Sequence, residues 1–330
     1  GLRTRLLRHQ DVERLTHARS LFAVLRELGA LGFATARVPA TAGSLEQATR
    51  QRAAELTSIL RRWGSDEREP ILSVLLEDEE RRSIDRILRG AEQGAASDAR
   101  LSGLVPTGRL SERALQVHAG QPTMADVVRM VLLWTPPFGP PRVELVNVTR
   151  PSLVDVEVAL QRPFARRALA RAHNGGRDLL DYARELADLM NAWSALLHFS
   201  ERDPAIAELT FIEGGRCIDR DSFAALLERQ SLDEVWAGLT RAFGDSPLCT
   251  VFSGDTRDIA SLESAVLQAQ IEEQGRRARV RPEGAAPLIR FYLGLRAEAI
   301  DLRRIIWGVS LGLSLIHISE PTRLNSTSRM

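Results

Sequence analysis

Apolar residues recur with the spacing of an α-helix along three long stretches of the chain. In the last stretch they step alternately by four and three residues, through Leu288, Tyr292, Leu295, Ala299, Leu302, Ile306 and Val309. An earlier stretch has the same steps, through Leu179, Ala183, Leu186, Met190, Trp193 and Leu197. This spacing places the apolar side chains on one helix face, so it predicts two amphipathic helices. The stretch from Ile71 to Leu88 is more charged, and we predict a third helix there with a weaker stripe.

Short motifs recur at a nearly constant interval along the chain. Ser44, Ser152 and Ser261, each followed by leucine, begin amphipathic runs that are 108 and 109 residues apart. An acid with a small polar residue three positions later recurs at intervals of 108 and 110 residues, in the pairs Glu80/Ser83, Asp188/Asn191 and Glu298/Asp301. Similarity at a fixed period indicates repeated structural units. We therefore interpret these six residues as repeat-defining structural positions.

Turn and capping signals follow the same period. Gly-Arg recurs at residues 108–109 and 215–216, and a candidate cap recurs at Thr16, Thr123 and Ser231. The predicted N-caps of the long helices, whose oxygens would bind first-turn N–H groups, are Ser44, Ser152, and Asp258 or Ser261. Glycines that would separate the two long helices of each unit are Gly64, Gly175-Gly176 and Gly284. The sequence thus predicts an all-α fold of three helical modules, 1–107, 108–214 and 215–312, of which the first and last are truncated.

The last residues differ in character from the rest of the chain. Residues 313–323 are what a transposase sequencing adapter encodes in frame, and 328–330 fit its continuation after an index. We therefore interpret 313–330 as non-native adapter read-through and exclude it from fold reasoning. Gly308, Ser310 and Gly312 match the G-x-S-x-G pattern of a hydrolase. That pattern needs a preceding strand and a later histidine, and here a helix precedes it, so an esterase is excluded.

Composition narrows the function classes further. The 44 basic and 43 acidic residues nearly balance, which gives no general attraction to nucleic acid. The basic residues are all arginine, and without lysine a Walker-A nucleotide site is excluded. Cys217 and Cys249 indicate neither a disulfide framework nor a zinc site. No apolar run reaches the ~20 residues of a membrane span, and no signal peptide is visible, so we expect a fragment of a cytoplasmic protein.

Candidate chemical sites are few. The acidic run 77–82 resembles the magnesium-binding helices of some all-α enzymes, but Glu77–Arg81 and Asp78–Arg82 have the spacing of ion pairs on a solvated helix face. The basic cluster 275–281 lacks aromatic residues, which favours a helix end or a face toward an acidic protein over a nucleic-acid site. Histidines 9, 17, 118, 173 and 198 lack paired ligand spacing. We predict no catalytic, cofactor or metal site, and we interpret 142–149 as an extended connector with an irrelevant glycosylation sequon at Asn147.

The chain resembles the C subunit of V/A-type rotary ATPases, which is related to the eukaryotic d subunit. The resemblance covers nearly all of 1–312. It rests on GLRTRLL at the start, IDRILRG (84–90), GLVPTGRLSERAL (103–115), DLMNAW (188–193), FIEGGRCIDRDSFAALL (211–227) and RPEGAAPLIRFYLGLRAEAIDLRRIIWG (281–308). Members of that family commonly have asparagine where this chain has Asp301 and Ser83, which is a departure from the pattern.

The resemblance implies a fold and a role. The fold would be three similar helical lobes around a pseudo-threefold axis, shaped as a funnel. The role would be a non-catalytic part of the central rotor, seated on the membrane proteolipid ring and gripping the central stalk, peripheral to the plasma membrane at its inner face. Arg303 and Arg304 are candidate partner contacts only. The alternatives are a helical-repeat scaffold of another complex, or an all-α magnesium enzyme that depends on Asp78.

Overall fold

The computed structural model describes residues 5–35, 38–62, 64–134, 152–199, 210–254 and 259–313. Within these ranges the fold is all-helical, as predicted, and contains no strand. The helices are α1 (His9–Thr16), α2 (Leu21–Ala30), α3 (Ala42–Arg62), α4 (Glu69–Glu92), α5 (Ser97–Leu101), α6 (Glu112–Ala119), α7 (Met124–Trp134), α8 (Leu153–Asn174), α9 (Arg177–His198), α10 (Arg220–Leu227), α11 (Leu232–Ala242), α12 (Cys249–Phe252), α13 (Ile259–Val280) and α14 (Ala286–Ser310).

Helix lengths follow one order three times along the chain. Two short helices precede two long ones in α1–α4, again in α6–α9, and again in α10, α11, α13 and α14. The first short helix of each set has 8 residues. The long helices have 21 to 25 residues. The additional helices α5 and α12 are only 5 and 4 residues long.

The second short helix of each set begins at a hydroxyl N-cap. Ser231 and Thr123 accept N–H bonds from Glu234 and Asp126, as predicted. The prediction for Thr16 is wrong, because Thr16 is the last residue of α1 and its hydroxyl donates to a main-chain oxygen. Ser20 caps α2 instead, accepting from the N–H of Ala23.

The long helices show a similar one-turn correction. Ser152 caps α8 as predicted, with its oxygen accepting from the N–H of Asp155. Ser44 lies inside the first turn of α3, and the oxygen of Thr41 accepts its N–H. Ser261 is likewise inside α13, which begins at Ile259, while Asp258 lies outside the described residues. A cap must precede the first turn, and the amphipathic pattern alone does not fix that boundary.

The apolar stripes predicted in α9 and α14 are largely buried. In α9 the stripe from Leu179 to Met190 is at most 5 % exposed, and in α14 Tyr292, Leu295, Leu302 and Ile306 are at most 2 % exposed. The two helices bury more than one face, however, because α14 also buries Phe291 and Ile305. A helix packed on several sides needs apolar residues beyond a single stripe.

The chain forms two compact units. The first comprises 1–63, 95–120 and 291–330, and the second comprises 64–94 and 121–290. In the first unit α1, α2, α3 and α14 share one apolar cluster, which includes Val24, Leu45 and Leu302. In the second unit α8 packs on both α4 and α9, and a separate cluster around Trp236 and Phe252 joins α9 to α11 and α12.

Some predictions lie outside the described residues. They concern the connector 142–149 with Asn147, and the tail from residue 314 onward. The three predicted modules are defined by repetition along the sequence, whereas the two units are defined by which segments pack together. The two units therefore do not test the module boundaries, which stay a prediction.

Candidate functional site

Asp188 holds a loop through three backbone N–H groups. Its Oδ2 accepts from Arg216, and its Oδ1 accepts from Cys217 and Ile218, each at 2.9 Å. Asp188 is 1 % exposed, and burial raises its pKa while the three N–H donors oppose that rise. Gly215 makes this approach possible, because a Cβ there would lie 2.2 Å from Asp188 Oδ1. The Gly-Arg motif at 215–216 is therefore explained by contact with a helix carboxylate.

Asn191 holds the same loop one helical turn further along α9. Its Oδ1 accepts from the N–H of Ile212 at 2.8 Å, and its Nδ2 donates to the carbonyl of Ile212 at 2.9 Å. Burial, followed by the charge of Asp188, raises the pKa of the nearby Cys217 thiol to about 11. That thiol stays protonated at neutral pH, so it is a poor nucleophile.

Glu298 plays the corresponding part on α14. Its Oε2 accepts from the N–H of Leu7 at 2.6 Å, and Glu298 is 8 % exposed. Leu7 and Ile218 occupy the same position, because each directly precedes the N-cap of the first short helix of its set. Asp301 lies one turn along α14, with Arg304 4.0 Å away. Burial raises the pKa of Glu298 to about 7 and that of Asp301 to about 6.

The third predicted pair is buried in α4, where Glu80 is 2 % and Ser83 is 1 % exposed. The three pairs thus occupy three different long helices. Asp188 and Glu298 hold different backbone segments, so their described contacts do not form one shared site. The carboxylates of Asp188 and Glu298 both accept hydrogen bonds from the main chain, which is a structural role.

The acidic run on α4 is not a solvated face, and that interpretation is wrong. Residues 77–81 are at most 6 % exposed. Glu77 binds Arg171 at 2.6 Å and Arg167 at 3.2 Å, both on α8. The predicted Asp78–Arg82 pair is present at 3.0 Å. The arginines of α8, which face this run across the helix interface, make its burial possible.

Further ion pairs on α4 escaped sequence reasoning. Arg81 binds both Asp78 at 2.8 Å and Asp85 at 2.7 Å. Arg89 binds Glu157 of α8 at 2.7 Å. Burial raises the pKa of Asp85 to about 6, and Arg81 opposes this. The sequence did carry a signal for Arg81, which lies three residues after Asp78 and four residues before Asp85, the spacing of ion pairs on one helix face.

The magnesium-enzyme alternative loses its central residue. Both oxygens of Asp78 bind arginines, Arg81 at 2.8 Å and Arg82 at 3.0 Å. Across the described residues, no group of three or more His, Cys, Asp or Glu side chains could hold a metal ion. Ser310, the residue of the G-x-S-x-G match, is the exposed last residue of α14.

The basic cluster 275–281 is neutralised largely within its own unit. Arg277 binds Glu273 at 2.7 Å and Asp181 of α9 at 2.8 Å. Arg276 also binds Glu273, at 2.8 Å, and Arg281 lies 3.5 Å from Asp178. The contacts with Asp181 and Asp178 join the end of α13 to α9, so the cluster serves an interhelical contact.

Two of the candidate histidines lie in helices, His118 in α6 and His198 at the end of α9. His118 is 1 % exposed, its Nδ1 lies 2.6 Å from the carbonyl of Ala114, and burial lowers its pKa. The side chain of His198 lies outside the described part of the chain.

No helix in the described ranges has both the length and the apolar character needed to cross a bilayer.

Comparison with known proteins identifies one family. The family model described as ATP synthase (C/AC39) subunit matches residues 1–320. The match thus includes the first part of the segment that the sequence predicts to be adapter-derived, and it stops short of 321–330. A search of curated proteins found no match.

Proposed function

Because the chain belongs to the ATP synthase (C/AC39) subunit family, we propose that it is a non-catalytic subunit of the central rotor of a V/A-type rotary ATPase. In this role it couples the central stalk to the membrane proteolipid ring for proton or sodium transport. It is peripheral to the inner face of the plasma membrane and reaches the membrane through the ring. The proposal assigns it no catalytic, cofactor or metal site.

The repeated use of equivalent contacts carries this proposal. Asp188 holds Ile218 at the start of the third set of helices, and Glu298 holds Leu7 at the start of the first set. The contact of α14 with the start of the first set therefore corresponds to the contact of α9 with the start of the third set. This supports three modules, 1–107, 108–214 and 215–312, arranged around a pseudo-threefold axis.

A second pair of contacts repeats in the same way. Glu157, five residues after the N-cap Ser152, accepts from Arg89 of α4 at 2.7 Å. Glu46, five residues after Thr41, accepts from the indole N–H of Trp307 of α14 at 2.8 Å. Arg89 and Trp307 each lie nine residues after the acid of their pair, Glu80 or Glu298. Equivalent positions thus make corresponding contacts, between the first and second proposed modules in one case and between the last and the first in the other.

Such contacts suit a part that transmits torque. Close-packed helix interfaces with buried charge-assisted hydrogen bonds have little slack. The buried carboxylates of Asp188 and Glu77 are bound by main-chain N–H groups and by arginines, which favours rigidity over chemistry. A rigid helical body with partners on two sides is what coupling between ring and stalk requires.

Reconstitution of the rotor tests the proposal. The full chain is co-expressed with the stalk and ring proteins of a V/A-type ATPase, and ring-bound stalk is measured after purification with and without the chain. We expect stable ring–stalk complexes only when the chain is present. Equal recovery of ring-bound stalk without the chain, or failure of the chain to bind either partner, would overturn the proposal.

A further inference from the structure

The contact of α14 with the first residues of the chain differs from other helix contacts, because it joins segments far apart in sequence. We call this contact the seam, comprising α14 from Phe291 onward, α3 and residues 5–8. At the seam, Leu7 N–H donates to Glu298, and Nη2 of Arg52 on α3 donates to the carbonyl of Arg5 at 2.9 Å. Leu6 packs closely against Gly294, since a Cβ at position 294 would lie only 2.9 Å from Cδ1 of Leu6. Residues 5–8 are thus tied to both long helices.

The seam also buries two carboxyl groups one helical turn apart. Glu298 is 8 % exposed, and Asp301 is half-buried on the same helix. The charged groups that act on Glu298 are Arg52 of α3, Asp301 of α14 and Asp11 of α1, and Arg304 acts on Asp301. Arg52 is shared, since its guanidinium also lies 4.7 Å from the ring centre of Phe33. Of the three charged groups that act on Glu298 itself, two are acids and one is an arginine.

The matching contact in the other unit lacks this feature. On α9 the residue three positions after Asp188 is Asn191, which pairs with the main chain of Ile212 and carries no charge. On α14 that position is Asp301. A second acid at this place adds charge repulsion to the burial of Glu298.

We propose that the seam is a pH-sensitive strap, in which ionisation of Glu298 and Asp301 loosens the hold of α14 on residues 5–8. Protonation tightens the strap, because protonated Glu298 still offers its carbonyl oxygen to Leu7 N–H without burying a charge. The inference concerns the seam alone and is independent of the role in a rotor.

The direction of the effect follows from proton linkage. Burial raises the pKa of Glu298 from 4.5 to about 7 and the pKa of Asp301 from 3.8 to about 6. When the seam opens, both groups return toward their ordinary pKa. The closed seam therefore binds more protons than the open seam, and closure weakens as pH rises through 6 and 7.

Hydrogen exchange of the full chain tests the strap. Protection factors, which correct for the intrinsic pH dependence of exchange, are measured for the amides of residues 5–8 at pH 5.5 and pH 8.0. We expect protection to fall on the order of a hundredfold between these pH values, mostly through Glu298, as the two raised pKa values require. Asp301→Asn should reduce that fall and Glu298→Gln should remove most of it, since both substitutions keep an acceptor oxygen.

An exposed glutamate on α1 provides the control. Glu13→Gln removes one carboxyl near the same segment and should leave the pH response as in the wild type. Protection that does not change with pH overturns the inference, and so does a pH response that survives both Glu298→Gln and Asp301→Asn. Asp301→Asn keeps the test valid if Glu298→Gln does not fold, because asparagine already serves at position 191.

Discussion

At the scale of single residues, buried carboxylates in this chain are stable because donors meet them. Asp188 accepts hydrogen bonds from three main-chain N–H groups, and Glu77 forms ion pairs with two arginines. A buried carboxylate without such donors costs several kcal/mol. The identity of the donors therefore decides whether an acid in a helix is buried or solvated, and a helical pattern alone does not reveal them.

Asp188→Ala should destabilise the protein strongly. The substitution leaves the N–H groups of Arg216, Cys217 and Ile218 without their acceptor, at about 1–3 kcal/mol for each that stays unsatisfied. We expect a loss of about 3 kcal/mol in the free energy of unfolding, measured by urea titration. Asp221→Ala, at an exposed acid on α10, should change it by less than about 0.5 kcal/mol. Equal effects of the two substitutions would contradict this account.

Glu77→Ala should be costly for a different reason. It leaves Arg167 and Arg171, which are 23 % and 29 % exposed, facing a buried site without their carboxylate. We expect a loss of about 2 kcal/mol, below the 3–5 kcal/mol of a fully buried pair because water reaches the arginines. The matched control is Glu213→Ala, which breaks the exposed pair with Arg220 and should cost under about 1 kcal/mol. Thermal or urea unfolding of both variants measures the difference.

At the scale of elements, the long helices could be predicted and their boundaries could not. The stripe from Leu179 to Met190 is set by local periodicity, which the sequence contains in full. The position of a cap depends on the connection before it. Ser20 and Thr123 are 103 residues apart, Thr41 and Ser152 are 111 apart, and Glu80 and Asp188 are 108 apart. A single average period therefore selected Thr16 and Ser44 in place of Ser20 and Thr41.

The prediction that residues 77–81 form a solvated face failed because their burial depends on long-range contacts. Their spacing fits ion pairs within one helix, and one such pair, Asp78–Arg82, does form. The rest of the environment comes from α8, where Arg171 lies 94 residues from Glu77 in sequence. Side chains that far along the chain meet only through the tertiary fold. The loop bound by Asp188 is similar, because its donors are main-chain groups that every sequence has.

The corrected cap of α2 is directly testable. Ser20→Ala removes the acceptor for the Ala23 N–H and should cost about 1 kcal/mol of stability. Thr16→Ala removes only a hydroxyl that donates to the carbonyl of Glu13, so its cost should be a few tenths of a kcal/mol. Chemical denaturation of both variants gives the comparison, and a larger loss for Thr16→Ala would restore the sequence-based assignment.

At the scale of the whole molecule, the proposed modules differ from separate domains. In the second unit α4 pairs with α8 of the next module, and α9 pairs with α13 of the one after. In the first unit α14 is linked to α3 by the hydrogen bond from Trp307 to Glu46 and by an apolar cluster that includes Leu295 and Leu56. Side-chain contacts thus link each second long helix to the first long helix of the following proposed module, and the last long helix to α3 of the first. With this order of contacts, we expect the same fold to form when the chain begins and ends at a different exposed loop.

A circular permutant tests this last consequence. The permutant starts at Ala95 and ends at Gly94, an exposed glycine with φ +67° between α4 and α5. A Gly/Ser linker of about 20 residues, which spans roughly 25 Å, joins residue 312 to residue 5. Because α14 advances about 1.5 Å per residue, the linker covers the distance from Glu298 at the seam to residue 312. We expect a helical protein with a single cooperative unfolding transition.

A second permutant sets the standard for failure. It opens the chain between Phe164 and Ala165, which are 0 % and 4 % exposed inside α8, and it uses the same linker. Breaking a buried helix exposes its unsatisfied ends and splits the ion pairs to α4, so this permutant should not fold cooperatively. If the Gly94–Ala95 permutant fails as completely as this one, the covalent order of the three modules matters more than their pairing, and the repeating arrangement loses its main support.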